Sequence, residues 1–185
     1  MKKTIKALAC LTLGLFLAVN VVAEAPLTGD TTTVVTQKVK PGTLSLQSPG
    51  DVVMPEITAS TVNQTLQASA SNWVVDDARG KKSSEQPGWS LTVSATDFSD
   101  GAGSNIPVTN LSVVPANLAI ISGNTDEVSL GTNHTFSSGS DQTTVAAAST
   151  GKGKGRFSGD LDLSLVVPAN SDAADYTSTM TFTVQ

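Results

Sequence analysis

His134 is the single histidine of this 185-residue chain and Cys10 its single cysteine, and those two counts close off most of the chemistry a small protein performs. A hydrolase triad needs a serine, an imidazole base and a carboxylate that orients the base. No Gly-x-Ser-x-Gly elbow is present to present such a serine. Two-histidine zinc sites are excluded by number, and thiolate sites by the absence of cysteine after residue 10. Two carboxylates alone suffice for glycoside hydrolysis. The acids from Asp76 onward, however, fall mostly in turns or on outward strand positions, and few aromatic rings are present to stack on a sugar. Asp97, Asp100 and Asn105 around a Gly-rich loop, and Asp160 with Asp162 on one strand face, offer oxygens of the kind Ca²⁺ takes. No EF-hand or Gly-rich Asp repeat accompanies them, so they are read as turn residues. The expectation is no catalytic residue, no metal, no cofactor, and no enzyme.

Recognition is the chemistry that remains. In Val75-Asp76-Asp77-Ala78-Arg79-Gly80, the Arg79 guanidinium is placed either to pair with Asp77 or to hold a ligand carboxylate through two parallel hydrogen bonds. Trp73 and Trp89 flank this segment as core or rim residues. Trp73, Asp77 and Arg79 are therefore candidate ligand contacts.

The leading segment is of a different kind. Lys2, Lys3 and Lys6 precede the apolar run from Ala7 to Val19, and Val21-Val22-Ala23 offers small residues for cleavage after Ala23. That order is the pattern of a secretory signal peptide over 1–23, and its apolar run falls short of the roughly 20 residues a membrane span needs. Cys10 sits near the beginning of the apolar run rather than after it, which argues against a lipoprotein box. Cleavage removes three lysines and the cysteine, so eight basic residues face sixteen acids, a net charge of −8. Such a charge disfavours nucleic acid and anionic membrane, and the mature fold is expected to stand on its core without disulfides.

Residues 24–41 are Thr-rich with little apolar mass and are expected to form a flexible leader or a first edge strand. Ala25-Pro26-Leu27-Thr28-Gly29 within them lacks the leading Leu, hydrophobic tail and basic stop of a sortase signal, so covalent anchoring is not expected. From residue 42 on, short runs alternate apolar and polar residues between Gly, Pro, Asn and Asp. Thr43–Gln47, Trp89–Ser94, Asp160–Leu165 and Met180–Val184 alternate cleanly, and Trp73–Asp76, Leu111–Val114, Leu118–Ile121 and Thr143–Ala147 are further candidates. Period-2 alternation marks half-buried strands. The predicted fold is all-β, a two-layer antiparallel β-sandwich over 42–185. Val-Val-Pro-Ala-Asn occurs at 113–117 and 166–170 and suggests two similar strand exits. The Gly-rich basic run 149–156 is expected to be a mobile hairpin loop, with contact to anionic wall polymer as its functional alternative.

Two motifs carry a family resemblance. Asp77-Ala78-Arg79-Gly80 is followed by Trp89-Ser90-Leu91, and Tyr176, Met180, Thr181, Phe182 and Val184 punctuate the C-terminal strand. Together with the signal peptide they resemble the WxL-domain family of Gram-positive surface proteins, in which a Trp-x-Leu after an Asp-x-Arg-Gly turn precedes a distal Tyr-x-x-x-Leu-Thr-Trp-x-Leu. Here Met180 stands for Leu, Phe182 for Trp and Val184 for the last Leu. The resemblance implies noncovalent retention on peptidoglycan, usually beside other surface proteins of the same system. Trp89, Ser90, Leu91, Tyr176, Met180, Thr181 and Phe182 are then the motif residues. Trp89, Leu91 and Val93 are expected to share one strand face, as are Tyr176, Met180, Phe182 and Val184. A face that apolar is as expected for core packing as for ligand contact. A second functional reading is a structural or adhesin subunit that binds a partner surface protein or host ligand through an exposed strand edge.

Overall fold

The computed structural model describes residues 34–123 and 127–185. The expected signal peptide therefore lies outside the described residues, as does most of the expected leader. Val39–Gln185 forms one compact unit. Its strands are β1 (Leu44–Gln47), β2 (Gln64–Asp77), β3 (Trp89–Ala95), β4 (Phe98–Ser99), β5 (Asn105–Ile106), β6 (Leu111–Ser122), β7 (Val128–Leu130), β8 (His134–Thr135), β9 (Thr143–Ala148), β10 (Gly155–Val167) and β11 (Met180–Val184). They build one sheet in the order β1-β2-β10-β6-β8, a second in the order β11-β3-β9-β7, and a small β4-β5 ribbon. All pairings are antiparallel. The expected all-β sandwich is the fold found.

Alternation is what makes two layers. Trp89, Leu91, Val93 and Ala95 of β3 are buried while Ser90, Thr92 and Ser94 between them are half-exposed. Leu161, Leu163 and Leu165 of β10 and Val113 of β6 face them from the other sheet, and Val145 of β9 joins them from the neighbouring strand of their own sheet. Each fully buried large side chain contributes about 1.5–3 kcal/mol by leaving water.

Three expectations change. The run Trp73–Asp76 is only the end of a 14-residue strand, β2, whose first part places Leu66, Ala68 and Ala70 inward. Two alanines and one leucine give a weak apolar rhythm, so the pairing with β10 rather than the pattern decides that this stretch is a strand. Leu111–Val114 and Leu118–Ile121 are one strand, β6, running through Pro115, which lies opposite Leu161. On its other side β8 pairs only with Ser112 and Val113, which leaves an edge where proline is tolerated, and the register slips just beyond it, between Ala116 and Ala119 opposite Asp160 and Ser158. The first Pro-Ala-Asn is thus a bulge with Asn117 at φ 52°, whereas the second ends β10 with Asn170 at φ 59°. Finally, Gly155 and Arg156 belong to β10, so the basic loop is shorter than expected.

Asp160 ties the bulged strands together. Its carboxylate accepts the Asn72 N–H and the Asn117 side-chain amide, both at 2.9 Å, and its carbonyl accepts the Trp73 indole N–H at 3.3 Å. Asp97 and Asp100 serve loops in the same way. Asp97 accepts the Val108 N–H at 2.8 Å, and one oxygen of Asp100 accepts the N–H groups of Ala102, Gly103 and Ser104 at 2.8–2.9 Å. Trp73 lies over Gly159, where an added Cβ would come within 2.5 Å of the indole Cζ2 and 3.0 Å of the Ala116 carbonyl. Gly159→Ala is accordingly expected to cost roughly 1–3 kcal/mol by overpacking. A lowered urea midpoint with an unchanged m-value checks it, and an unshifted midpoint contradicts the packing argument.

Candidate functional site

The Asp-x-Arg-Gly segment and the first Trp-x-Leu motif form one hydrogen-bonded assembly. Asp77 ends β2 and is 2 % exposed. Its carboxylate accepts Arg79 Nε at 2.9 Å and Arg79 Nη2 at 2.7 Å, and takes the Arg79 backbone N–H at 3.1 Å and the Gln86 side-chain amide as well. Burial pushes the Asp77 carboxyl up, but the hydrogen bonds and charge of Arg79, with the Gln86 amide, outweigh it and the net displacement is downward. The hydrogen bond to Asp77 raises Arg79 against an opposing effect of burial. The same Nη2 donates to the Gly88 carbonyl at 2.6 Å. The guanidinium therefore clamps the residue immediately before Trp89, where Gly88 takes φ 76°.

Trp89 then enters the core, 4 % exposed, with its ring centroid 5.8 Å from that of Phe157. Its indole N–H donates to the Gly153 carbonyl at 2.8 Å. Gly153, at φ 80°, lies so close that a Cβ there would come within 2.5 Å of the indole nitrogen. Leu91 follows, 0 % exposed, and Trp73 is likewise enclosed. Ser90 is half-buried and exchanges both main-chain hydrogen bonds with Gln185. Among the candidate ligand contacts, Trp73 and Asp77 thus present almost no surface, and Arg79 has its fork on Asp77 and Gly88.

The two motifs, far apart in sequence, are neighbours. β11 pairs with β3 so that Val184 lies opposite Leu91, Phe182 opposite Val93 and Met180 opposite Ala95. β11 is the edge strand of its sheet, so Met180 and Phe182 are half-buried where Leu91 and Val93 are enclosed, and Thr181 points outward. Met180, Phe182 and Tyr176 line an open groove of about 1210 Å³. Its opposite wall is the first part of β2 and the end of β10, and residues 48–60 run along it without regular secondary structure. Val52, Met54 and Ile57 of that strap turn inward and Val53 outward. Among the described residues, no bond between main-chain groups holds 48–59; the strap is tethered by β1 at one end, and at the other by the Gln64 side-chain amide to the Thr58 carbonyl and the Asn170 N–H to the Ser60 carbonyl, both 2.8 Å. The Tyr176 hydroxyl donates to the Asp172 carbonyl at 3.1 Å, which leaves the ring along the groove.

Gln86, Gly153 and the strap did not emerge from sequence alone. The signals present were weak: a Gln just before Pro87-Gly88-Trp89, a Gly-x-Gly-x-Gly run at 151–155, and a short apolar run, Val52-Val53-Met54, between prolines.

No curated protein and no solved structure matches the chain. A family model described as "WxL domain surface cell wall-binding" matches residues 23–185, nearly the whole sequence. With the Asp-x-Arg-Gly clamp, the buried Trp-x-Leu strand and the distal motif paired beside it, the chain belongs to the family of WxL surface cell wall-binding domains.

Proposed function

We propose that this is a secreted protein, released from the leader 1–23, that is held noncovalently on Gram-positive peptidoglycan through the groove beside β11. In this reading Tyr176, Met180 and Phe182 make the contact, while Trp89, Leu91 and the Asp77–Arg79 pair hold the strand on which β11 is laid. The supporting observation is the difference in exposure between the two motifs: the distal side chains are half-buried along an open groove, and the proximal ones are enclosed. Rings and a thioether at a groove wall suit the apolar faces of sugars and the side chains of stem peptides.

Sedimentation of the purified protein with protein-free peptidoglycan tests this. Saturable pelleting is expected, with Tyr176→Ala/Phe182→Ala binding at least about tenfold more weakly, the loss of roughly 1.4 kcal/mol or more that a central aromatic contact carries. A Trp89→Phe variant, altered behind the groove, is expected to pellet like the parent. Wild-type protein that stays in the supernatant rules out direct binding to peptidoglycan.

One observation favours a second reading. Among the described residues no strand pairs with the outer side of β11, so a strand from another surface protein of the same system could add there. Retention that requires a second protein, with none on bare peptidoglycan, is the outcome that reading expects.

A further inference from the structure

The charge of the compact unit is sorted by end. Between residues 39 and 185 every lysine and arginine is Lys40, one of three at 79–82, or one of three at 152–156. The fold gathers these segments. The Gly42 N–H donates to the Ala78 carbonyl at 2.9 Å, Arg156 pairs with Asp76 across β10 and β2, and Lys154 Nζ donates to the Lys81 carbonyl at 3.3 Å. Arg79 is held by Asp77; the other six cationic residues are exposed. Among the described residues the carboxylates at this end are Asp76, Asp77, Glu85 and Glu127, so seven positive charges face four negative ones. Glu127 accepts the Gly153 N–H at 3.0 Å and Asp77 is inside.

The other end carries the reverse charge. Asp97, Asp100, Asp172 and Asp175 stand on loops joined by the Ser99–Thr177 main-chain bonds, with no cation among them. β10 runs from the basic end to this one in 13 residues, about 40 Å at roughly 3.3 Å per residue. That is about five Debye lengths at physiological salt, near 8 Å each. A polyanion approaching the basic end therefore meets the local charge and not the net charge of the molecule.

We infer that this end is a second binding surface, for a linear polymer of phosphate groups such as the polyol phosphates of cell walls, separate from the groove. Ammonium groups on long stems and Gly-rich loops present mobile point charges, which suit repeating phosphates better than a single planar carboxylate. The aromatic side chains nearest to it, Trp73, Trp89 and Phe157, are buried, so the surface offers no platform on which nucleobases would stack.

The probe is long-chain inorganic polyphosphate, titrated into the purified protein at 50 and 200 mM NaCl. Three to four phosphates engaged at once predict a fall in affinity of roughly ten- to fiftyfold between the two salts. Lys81→Gln/Lys82→Gln/Lys154→Gln, all exposed, is expected to retain the circular dichroism and melting temperature of the parent and to bind polyphosphate at least tenfold more weakly. Asp172→Asn/Asp175→Asn is expected to leave that binding unchanged. On sacculi, the parent is expected to bind more tightly before phosphate polymer is stripped with hydrofluoric acid than after, and the triple variant equally to both. Loss of binding to stripped sacculi would concern the groove; loss of the difference between the two preparations concerns this surface. No binding of polyphosphate at 50 mM NaCl, binding indifferent to the triple substitution, or tighter binding of duplex DNA of equal phosphate count overturns the inference.

Discussion

Trp89→Ala is expected to lower the folding free energy by about 4 kcal/mol, within the 3–5 kcal/mol that removal of a buried indole costs. Three losses combine. The ring leaves a cavity beside Phe157 that the flanking strands, held in register on both sides of β3, close only in part. Its apolar surface no longer leaves water on folding. The Gly153 carbonyl also loses the donor that satisfied it. For a domain of this size each kcal/mol moves the melting temperature by roughly 2–4 °C, so a drop of about 8–16 °C is expected by calorimetry. Trp89→Phe separates the contributions. It keeps an aromatic ring but loses part of the indole together with its N–H, and a cost of roughly 1–3 kcal/mol follows. A Trp89→Ala loss below about 1 kcal/mol would mean that the ring is not in the core, and the division of labour between the two motifs would fall with it.

Asp77→Asn should destabilise by roughly 3 kcal/mol, because it breaks a buried ion pair while leaving the partner in place. Asparagine keeps the shape of the side chain. Its one carbonyl oxygen, however, must replace a carboxylate that takes two donors from the guanidinium, one from the Gln86 amide and one from the backbone. Its own NH₂ then faces donors. Arg79 loses the partner that aims it, and the clamp on the Gly88 carbonyl loosens with it. The effect is pH-dependent with a definite sign. The folded-state pKa of Asp77 lies below its ordinary 3.8. The stability it contributes is therefore complete above that ordinary value and lost as pH falls below 3.8 through the folded value. The gap between parent and Asp77→Asn, measured by denaturant titration, should be widest near neutral pH and narrow on acidification below 3.8. A gap that stays constant down to strongly acid pH would show that the charge on Asp77 contributes nothing.

His134 and Asp141 form a milder, solvent-facing version of the same device. The Ser137 N–H, its hydroxyl and His134 hold the Asp141 carboxyl down at about 2. The Ser137 contacts are 2.7 and 2.8 Å and the His134 contact 3.0 Å. The arrangement orders the turn after β8. Replacing His134 by Gln, which keeps a donor, is expected to change stability by less than about 1 kcal/mol, the range of exposed pairs.

Alternation alone determined that this chain is a β-sandwich, because a strand with one face in a core must repeat every two residues wherever its side chains are large enough to register. Trp89-Ser90-Leu91-Thr92-Val93 and Asp160–Leu165 are legible for that reason, and the absence of a second histidine or a later cysteine is legible by counting. The two motifs were visible as residues. Their meaning was not, since a Trp-x-Leu strand looks the same in sequence whether its tryptophan meets a ligand or a glycine carbonyl. Only the tertiary structure decided that β3 lies inside its sheet and β11 at the edge, which encloses Trp89 and Leu91 and leaves Phe182 and Met180 at a groove. It likewise decided that Pro115 sits within a strand, because the residue it lies opposite, Leu161 of β10, is far away in the sequence. Local spacing reports which way a side chain points along its own strand. Which neighbour covers it is set by long-range pairing, and on that pairing depends whether an apolar residue becomes core or contact surface.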